Sequence, residues 1–249
     1  MEKTERIELK LSPIIKMLGM TIVVALVMVF IYATIRSLPS YEKIAEESSW
    51  ILAILLHVPQ FVIPFALICY LARGRLSEYG FNLKEHPPVF TRRRMFGLGV
   101  LFGFLMSLKH VLQVVTGMPL DIPQPVTVVG VLGNITFQWI VVGVSEETMF
   151  RGLIQSYLTK NLRGYIKILG HNLHIGTVIG AIIWGAFHFI NILIMPIGPV
   201  MFFVLLTTIA GLAMGYAYQE TGSLLTTIIV HNTIFGVPLT IGYFLYWLF

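Results

Sequence analysis

The chain has 249 residues, of which 56% are hydrophobic and only 12% charged, and its mean hydropathy is +0.82. That balance excludes an ordinary soluble globular domain and places the chain among multi-span membrane proteins. The net charge of +5 and the pI near 9.4 read as topology and attraction to anionic lipid headgroups, not as nucleic-acid binding. The basic residues sit in short loops beside apolar runs, with no aromatic residues arranged around them for stacking.

Apolar runs of about 20 residues suit helices that cross the hydrocarbon layer, where backbone polar groups must be bonded within the segment. In chain order the spans fall near Leu18–Ile35, Trp50–Ala72, Phe96–Thr116, Val126–Leu158, Ile175–Met195 and Pro199–Tyr218. Leu224–Phe249 follows and reads as two short helices parted at Gly236-Val237-Pro238. The expected fold is an all-α polytopic membrane bundle of about eight transmembrane helices (seven to eight). It forms a single integral membrane domain over residues 1–249, with a motif-bearing core at about 126–249. The start, MEKTERIELKLSPIIKM, is basic like a signal, but no small-residue cleavage site follows, so the first helix is expected to be retained. Cys69 stands alone in the second span, which rules out a disulfide framework.

Orientation follows from the lysines and arginines. Lys3, Arg6, Lys10 and Lys16 precede the first span, and Arg73, Arg75, Lys84, Arg92, Arg93 and Arg94 lie between the second and third. Lys160, Arg163 and Lys167 occupy the next loop on the same side, whereas the opposite loops hold only Arg36 and Lys43. The N-terminus and the basic loops are therefore expected to face the cytoplasm across a cell membrane.

Ionisable residues within spans are costly and usually face a protein interior or a wet cavity. Those singled out are Lys109, His110, Glu146, Glu147, Arg151, His188 and His231. At a rise of about 1.5 Å per residue, Glu146 lies about 20 Å along its helix from Lys160, and His188 about as far from His174. His231 lies about 13 Å beyond Gly222. Three groups from three helices thus reach similar depths. Glu146 and Glu147 differ by about 100° in azimuth, so one small pocket cannot take both. Arg151 stands four residues after Glu147, the spacing of a same-face ion pair. Glu147 is therefore expected to pair with Arg151, leaving Glu146 unpaired in a low-dielectric site, the setting of a general base. If the group served only as a helix-stabilising salt bridge, one glutamate would be left unmatched in lipid.

WGAFHFIN (Trp184–Asn191) places Trp184, His188 and Asn191 near one helix face, and GSLLTTIIVHNTIFGV (Gly222–Val237) supplies His231 with Asn232 beside it. His171 and His174 in GHNLH have helical spacing but fall in a basic loop, where a surface role outweighs a metal. Lys109 and His110 are read as structural. The repeats Gly99-x-x-x-Gly103, Gly176-x-x-x-Gly180 and Gly211-x-x-x-Gly215 are read as close helix packing. The NIT triplet at Asn134–Thr136 matches a glycosylation acceptor but lies inside a span and is discounted.

No GxSxG, HExxH, GxGxxG or Walker pattern is present. One glutamate, two histidines and asparagine amides suit hydrolysis by an activated water. Glu146 would take the proton, His188 would help hold the water, and His231 with an amide would stabilise the oxyanion.

These residues resemble a known family. EETMFR looks like the EExxxR motif of the CPBP family, the CAAX-protease and bacteriocin-processing (Abi) enzymes. WGAFH looks like its second motif, and His231 is similar to the third, so the likeness covers roughly Val141–Gly236. The resemblance implies a glutamate-dependent intramembrane endopeptidase with a cavity opening to the cytoplasm. Glu146 would activate water with help from His188, His231 would lie in the oxyanion hole, and Glu147 with Arg151 would organise the site. The family usually carries Asn or Asp four residues after the third-motif histidine, and here Phe235 stands there. Asn191 and Asn232 are the candidate replacements for oxyanion or water positioning.

The implied partners are a peptide or prenylated protein substrate and membrane lipids, with no nucleic acid, no cofactor and no metal. Three other readings stand beside this one. A zinc peptidase would use Glu146, His188 and His231 as ligands, but the chain lacks the HExxH helix. A non-enzymatic scaffold or regulator of the same fold is favoured by Phe235. A transporter would use buried acids and histidines as a proton relay, yet no repeat between the halves is apparent.

Overall fold

The computed structural model describes residues 7–83, 90–124 and 126–249. Lys3, Arg6 and Lys84, used above for orientation, lie outside the described residues. Among the described residues, 7 helices are long and apolar enough to cross a membrane. The elements run α1 (Leu11–Arg36), the short α2 (Tyr41–Glu47), α3 (Ser49–Ala72), α4 (Arg92–Val115) and α5, the helical span Val128–Asn161. A hairpin of β1 (Tyr165–Ile168) and β2 (His171–His174) follows. Then come α6 (Ile175–Phe187), a tighter 3-10 turn His188–Leu193, α7 (Ile197–Thr221) and α8 (Leu224–Leu248). This is the all-α bundle of a multi-pass membrane protein.

Burial sorts the helices into an outer and an inner set. The outward faces of α1, α4 and α7 carry exposed Leu, Ile and Phe such as Leu26, Phe30, Phe104, Leu108, Phe202 and Leu205, the surface that hydrocarbon solvates. The second half of α5 is enclosed: Met149, Phe150, Leu153, Ile154 and Leu158 are all within 1% of full burial. The half of α5 that bears the paired glutamates therefore runs through protein, whereas its first half exposes Val128, Val129 and Leu132.

Small residues set how closely the helices approach. A Cβ on Gly99 would stand 2.7 Å from Thr233 Cβ, and one on Gly103 would stand 2.6 Å from Val237 Cβ, which brings α4 directly onto α8. Gly211 meets Trp184 and Ala181, and Gly215 meets Thr177, bringing α7 onto α6. Gly176 packs on Leu158 and Thr159 of α5. The three glycine repeats thus lie at helix contacts, the use small residues have where no hydrophobic force separates protein from solvent.

Two expectations are corrected. Leu224–Phe249 is not two short helices: α8 runs unbroken to Leu248 with Pro238 inside it. Gly236, Val237 and Pro238 are buried, with Gly236 against Trp139 and Val237 against Gly103. This packing overrides the local helix-breaking tendency, as neighbouring helices can within a membrane. His171 and His174 lie on a strand, not at helical spacing. Tyr165 pairs with His174 and Ile168 with His171, around a turn at Leu169 and Gly170, both at positive φ (48° and 86°). His171 contacts the Tyr216 ring, and His174 Nδ1 accepts the Gly176 N–H at 3.0 Å, capping α6.

Candidate active site

Glu146 and Glu147 lie on α5 between two π-helical stretches, Phe137–Val141 and Thr148–Gln155. A π turn bonds i to i+5 and so disturbs the amide pairing beside it, a feature common at functional positions. Here Asn232 of α8 accepts the Gly143 N–H on its Oδ1 at 2.8 Å. Any side chain at position 143 would run into Asn232, so the glycine lets α8 come this near.

Glu147 is wholly enclosed and binds two partners through one oxygen. Arg151 Nη1 donates to Oε1 at 3.1 Å, and His231 Nδ1 donates to the same oxygen at 2.8 Å. Arg151 also lies over the Trp184 ring, 4.2 Å from its centroid, a cation–π contact. The expected Glu147–Arg151 pair is present, and the structure adds His231 to it. Glu147 Oε2 and Arg151 Nη2 have no hydrogen-bond partner among the described residues.

Glu146 points elsewhere. Its Oε2 accepts the Trp184 indole N–H at 2.7 Å. The carboxylate is therefore not unpartnered, as the sequence suggested, although among the described residues it has no guanidinium or ammonium partner. Trp184 is the hub of the site: its ring lies 5.5 Å from that of His188 and 5.8 Å from that of His231. Glu146, His188 and His231 are thus brought together around one indole, from α5, the turn after α6, and α8. His188, His231 and His57 all lie close enough to Glu146 to act on its charge.

The histidine partners fix which ring nitrogen is available. His188 Nδ1 lies 2.8 Å from the Trp184 carbonyl, and His231 Nδ1 2.8 Å from a carboxylate oxygen. Both partners only accept, so each Nδ1 carries a proton and each neutral ring presents Nε2 as its lone pair.

The two candidate asparagines are not equivalent. Asn232 Oδ1 is engaged by Gly143, leaving only its amide nitrogen to offer. Asn191 is half-buried in the 3-10 turn, and its backbone carbonyl accepts the Ile194 and Met195 N–H groups. Phe235 packs on His231 with ring centroids 5.3 Å apart.

Sequence reading missed His57 of α3, whose Nε2 stands 3.9 Å from Glu146 Oε1. Its signal was present, an ionisable residue inside an apolar span. Lys109 pairs with Asp121 at 3.2 Å and His110 bonds Gln113 at 3.1 Å. Outside the spans, the Lys160 ammonium beside Glu78, 3.0 Å away, holds that carboxyl below its usual range. No cluster of three or more His, Cys, Asp or Glu placed to hold a metal occurs among the described residues. An apolar cavity of about 290 Å³ opens beside α5, lined among others by Val144, Thr148, Leu225 and Ile228.

Taken together, fold and site define a polytopic helical membrane protein with a carboxylate–histidine centre enclosed in the bundle. The family model described as Rce1-like, type II CAAX prenyl endopeptidase Rce1-like, matches residues 128–235. That stretch holds Glu146, Glu147, Arg151, His188 and His231, and over it the chain is similar to the CAAX-protease family that its motifs resemble. α1 to α4 lie outside the match. No curated protein and no solved structure matches the chain.

Proposed function

We propose that this chain is an intramembrane glutamate-dependent endopeptidase acting near the C-terminus of prenylated CAAX proteins or within a peptide precursor. Glu146 is the general base. It takes a proton from water as the water oxygen attacks the peptide carbonyl, and His188 assists the reaction through its free Nε2. His231 keeps Nδ1–H on Glu147 and, when a second proton occupies Nε2, donates that N–H to the oxyanion. Glu147 and Arg151 hold His231 and Trp184 in place. The whole chain acts as one integral membrane unit, with its N-terminus and basic loops in the cytoplasm. The apolar cavity beside Val144 and Thr148 suits the apolar part of such a substrate.

The observation that carries this reading is the division of labour between the adjacent glutamates. Glu147 is saturated with cationic and imidazole donors on Oε1, whereas Glu146 is pinned on Oε2 by a neutral N–H and turns Oε1 toward histidine. A second reading, a weak or inactive relative kept as a membrane scaffold, draws on Phe235 against His231.

Purified protein in detergent, given prenylated and unprenylated peptide tails, separates the two. The endopeptidase reading expects internal cleavage by wild type and none by Glu146→Ala. Equal product from both would remove Glu146 from the chemistry, and no cleavage of either tail by wild type favours the scaffold.

A further inference from the structure

α3 brings a third histidine to Glu146 from outside the family-matched stretch. Packing fixes the register of α3 on α5: a Cβ on Gly152 would lie 3.3 Å from Ile68 Cδ1, and His57 reaches Glu146 further along the same pair of helices. The His57 ring is held at two points. Its Nδ1 is 2.8 Å from the Ala53 carbonyl, and its ring meets Phe137 edge-on at 4.9 Å and 80°. A carbonyl only accepts, so Nδ1 carries the proton and the neutral ring aims the Nε2 lone pair at Glu146 Oε1. Both side chains keep some access to solvent, 17% for His57 and 11% for Glu146, whereas Glu147 has none.

Two acceptors that face each other need a donor between them. Their separation of 3.9 Å is too long for a direct bond of about 2.7–3.2 Å, and it suits one bridging water. With a bond of about 2.7–2.8 Å to each atom, that water subtends an angle of about 90° across the 3.9 Å gap, near its own H–O–H angle of about 105°. We propose that His57 is a further positioning residue of the reaction: together with Glu146 Oε1 it holds the hydrolytic water by both protons, so that the oxygen lone pairs face outward to the scissile carbonyl. This rests on Glu146 being the general base.

The assignment also separates the histidines. One water has two protons to donate, while Glu146 Oε1, His57 Nε2 and His188 Nε2 are three acceptors. Glu146 Oε2 is bound to Trp184, on whose ring His188 packs at 5.5 Å, and Oε1 faces His57. His57 therefore takes the second proton's hydrogen bond, and His188 Nε2 is left to accept the N–H of the leaving amine. In the step, the O–H bond toward Glu146 breaks and its proton passes to Oε1. The water oxygen forms the bond to carbon, and the C=O π pair moves onto the carbonyl oxygen. His57 keeps its hydrogen bond to the remaining O–H and gains no proton. Collapse of the tetrahedral intermediate breaks C–N, and the amine nitrogen takes the proton from Glu146.

The test compares kcat, KM and thermal midpoint for wild type, His57→Gln, His57→Asn, His57→Phe and Glu146→Gln, using a peptide tail that wild type cleaves. The glutamine carbonyl reaches the place of Nε2, asparagine restores only the place of Nδ1, and phenylalanine keeps the ring against Phe137. Expected are a glutamine kcat within about tenfold of wild type, and asparagine and phenylalanine values about 100-fold lower, all at KM within about twofold. Should phenylalanine fail to fold, the glutamine–asparagine comparison still decides. An asparagine or phenylalanine enzyme with wild-type kcat, or a glutamine enzyme no better than asparagine, overturns the assignment. If Glu146→Gln is inactive while His57→Phe is fully active, only the His57 role fails. If Glu146→Gln is itself fully active, the reading beneath it fails.

Discussion

Replacing Arg151 by alanine removes the cation from the most enclosed part of the site. Glu147 is fully buried, its Oε1 shared by Arg151 and His231, and the guanidinium lies against the Trp184 ring. Breaking a buried ion pair from one side leaves an uncompensated charge and costs about 3–5 kcal/mol. The lost contact with Trp184 adds about 0.5–2 kcal/mol. Two facts favour the lower end: Glu147 keeps its bond from His231, and Oε2 with Nη2 were already without partners among the described residues. A net loss of about 3–4 kcal/mol should lower the thermal midpoint by about 6–16 °C for a chain of this size. The assay is thermal unfolding in detergent micelles alongside peptide cleavage. The double variant Glu147→Gln/Arg151→Gln should recover part of the midpoint, because no charge is then buried alone. A midpoint within about 1 °C of wild type for Arg151→Ala would refute the buried-pair argument.

Three further variants probe separate parts of the geometry. Trp184→Phe keeps a ring between the histidines but removes the N–H on Glu146 Oε2; a hydrogen bond to a charged group is worth about 1.5–3 kcal/mol, so kcat should fall about 10–100-fold, and an unchanged kcat would show that the indole bond does not orient the carboxylate. Asn232→Ala strips the acceptor from the Gly143 N–H and should destabilise by about 1–3 kcal/mol in thermal unfolding with little change in kcat. A collapsed kcat at unchanged midpoint would instead assign Asn232 to the oxyanion. Gly103→Leu forces a side chain into Val237 and should cost about 1–3 kcal/mol by the same assay, whereas a neutral result would mean that α4 and α8 are not in close contact there.

The helices were legible because each is a long apolar run, and their number followed within one. α8 was misread because Gly236 and Pro238 break helices locally, while their burial against Trp139 and the α4 glycines is a tertiary effect that spacing does not reveal. The hairpin histidines were misread because three-residue spacing fits a helix, and only the turn at Leu169-Gly170 makes them strand residues. In the site, i,i+4 spacing gave Glu147–Arg151 correctly. Trp184 as the donor to Glu146 lay beyond a one-dimensional reading, since it depends on how α6 rotates against α5. His57 was within reach of the rule that ionisable residues in spans signal function, but no motif pointed to α3.

Glu146→Gln tests the central claim most directly. Glutamine can still accept the Trp184 N–H through its carbonyl and fill the same space, so the fold and thermal midpoint should be unchanged while the base is lost. Cleavage of a peptide tail should then fall by about 100-fold or more, the contribution of a positioned general base. Cleavage at the wild-type rate by a folded Glu146→Gln protein would contradict the account.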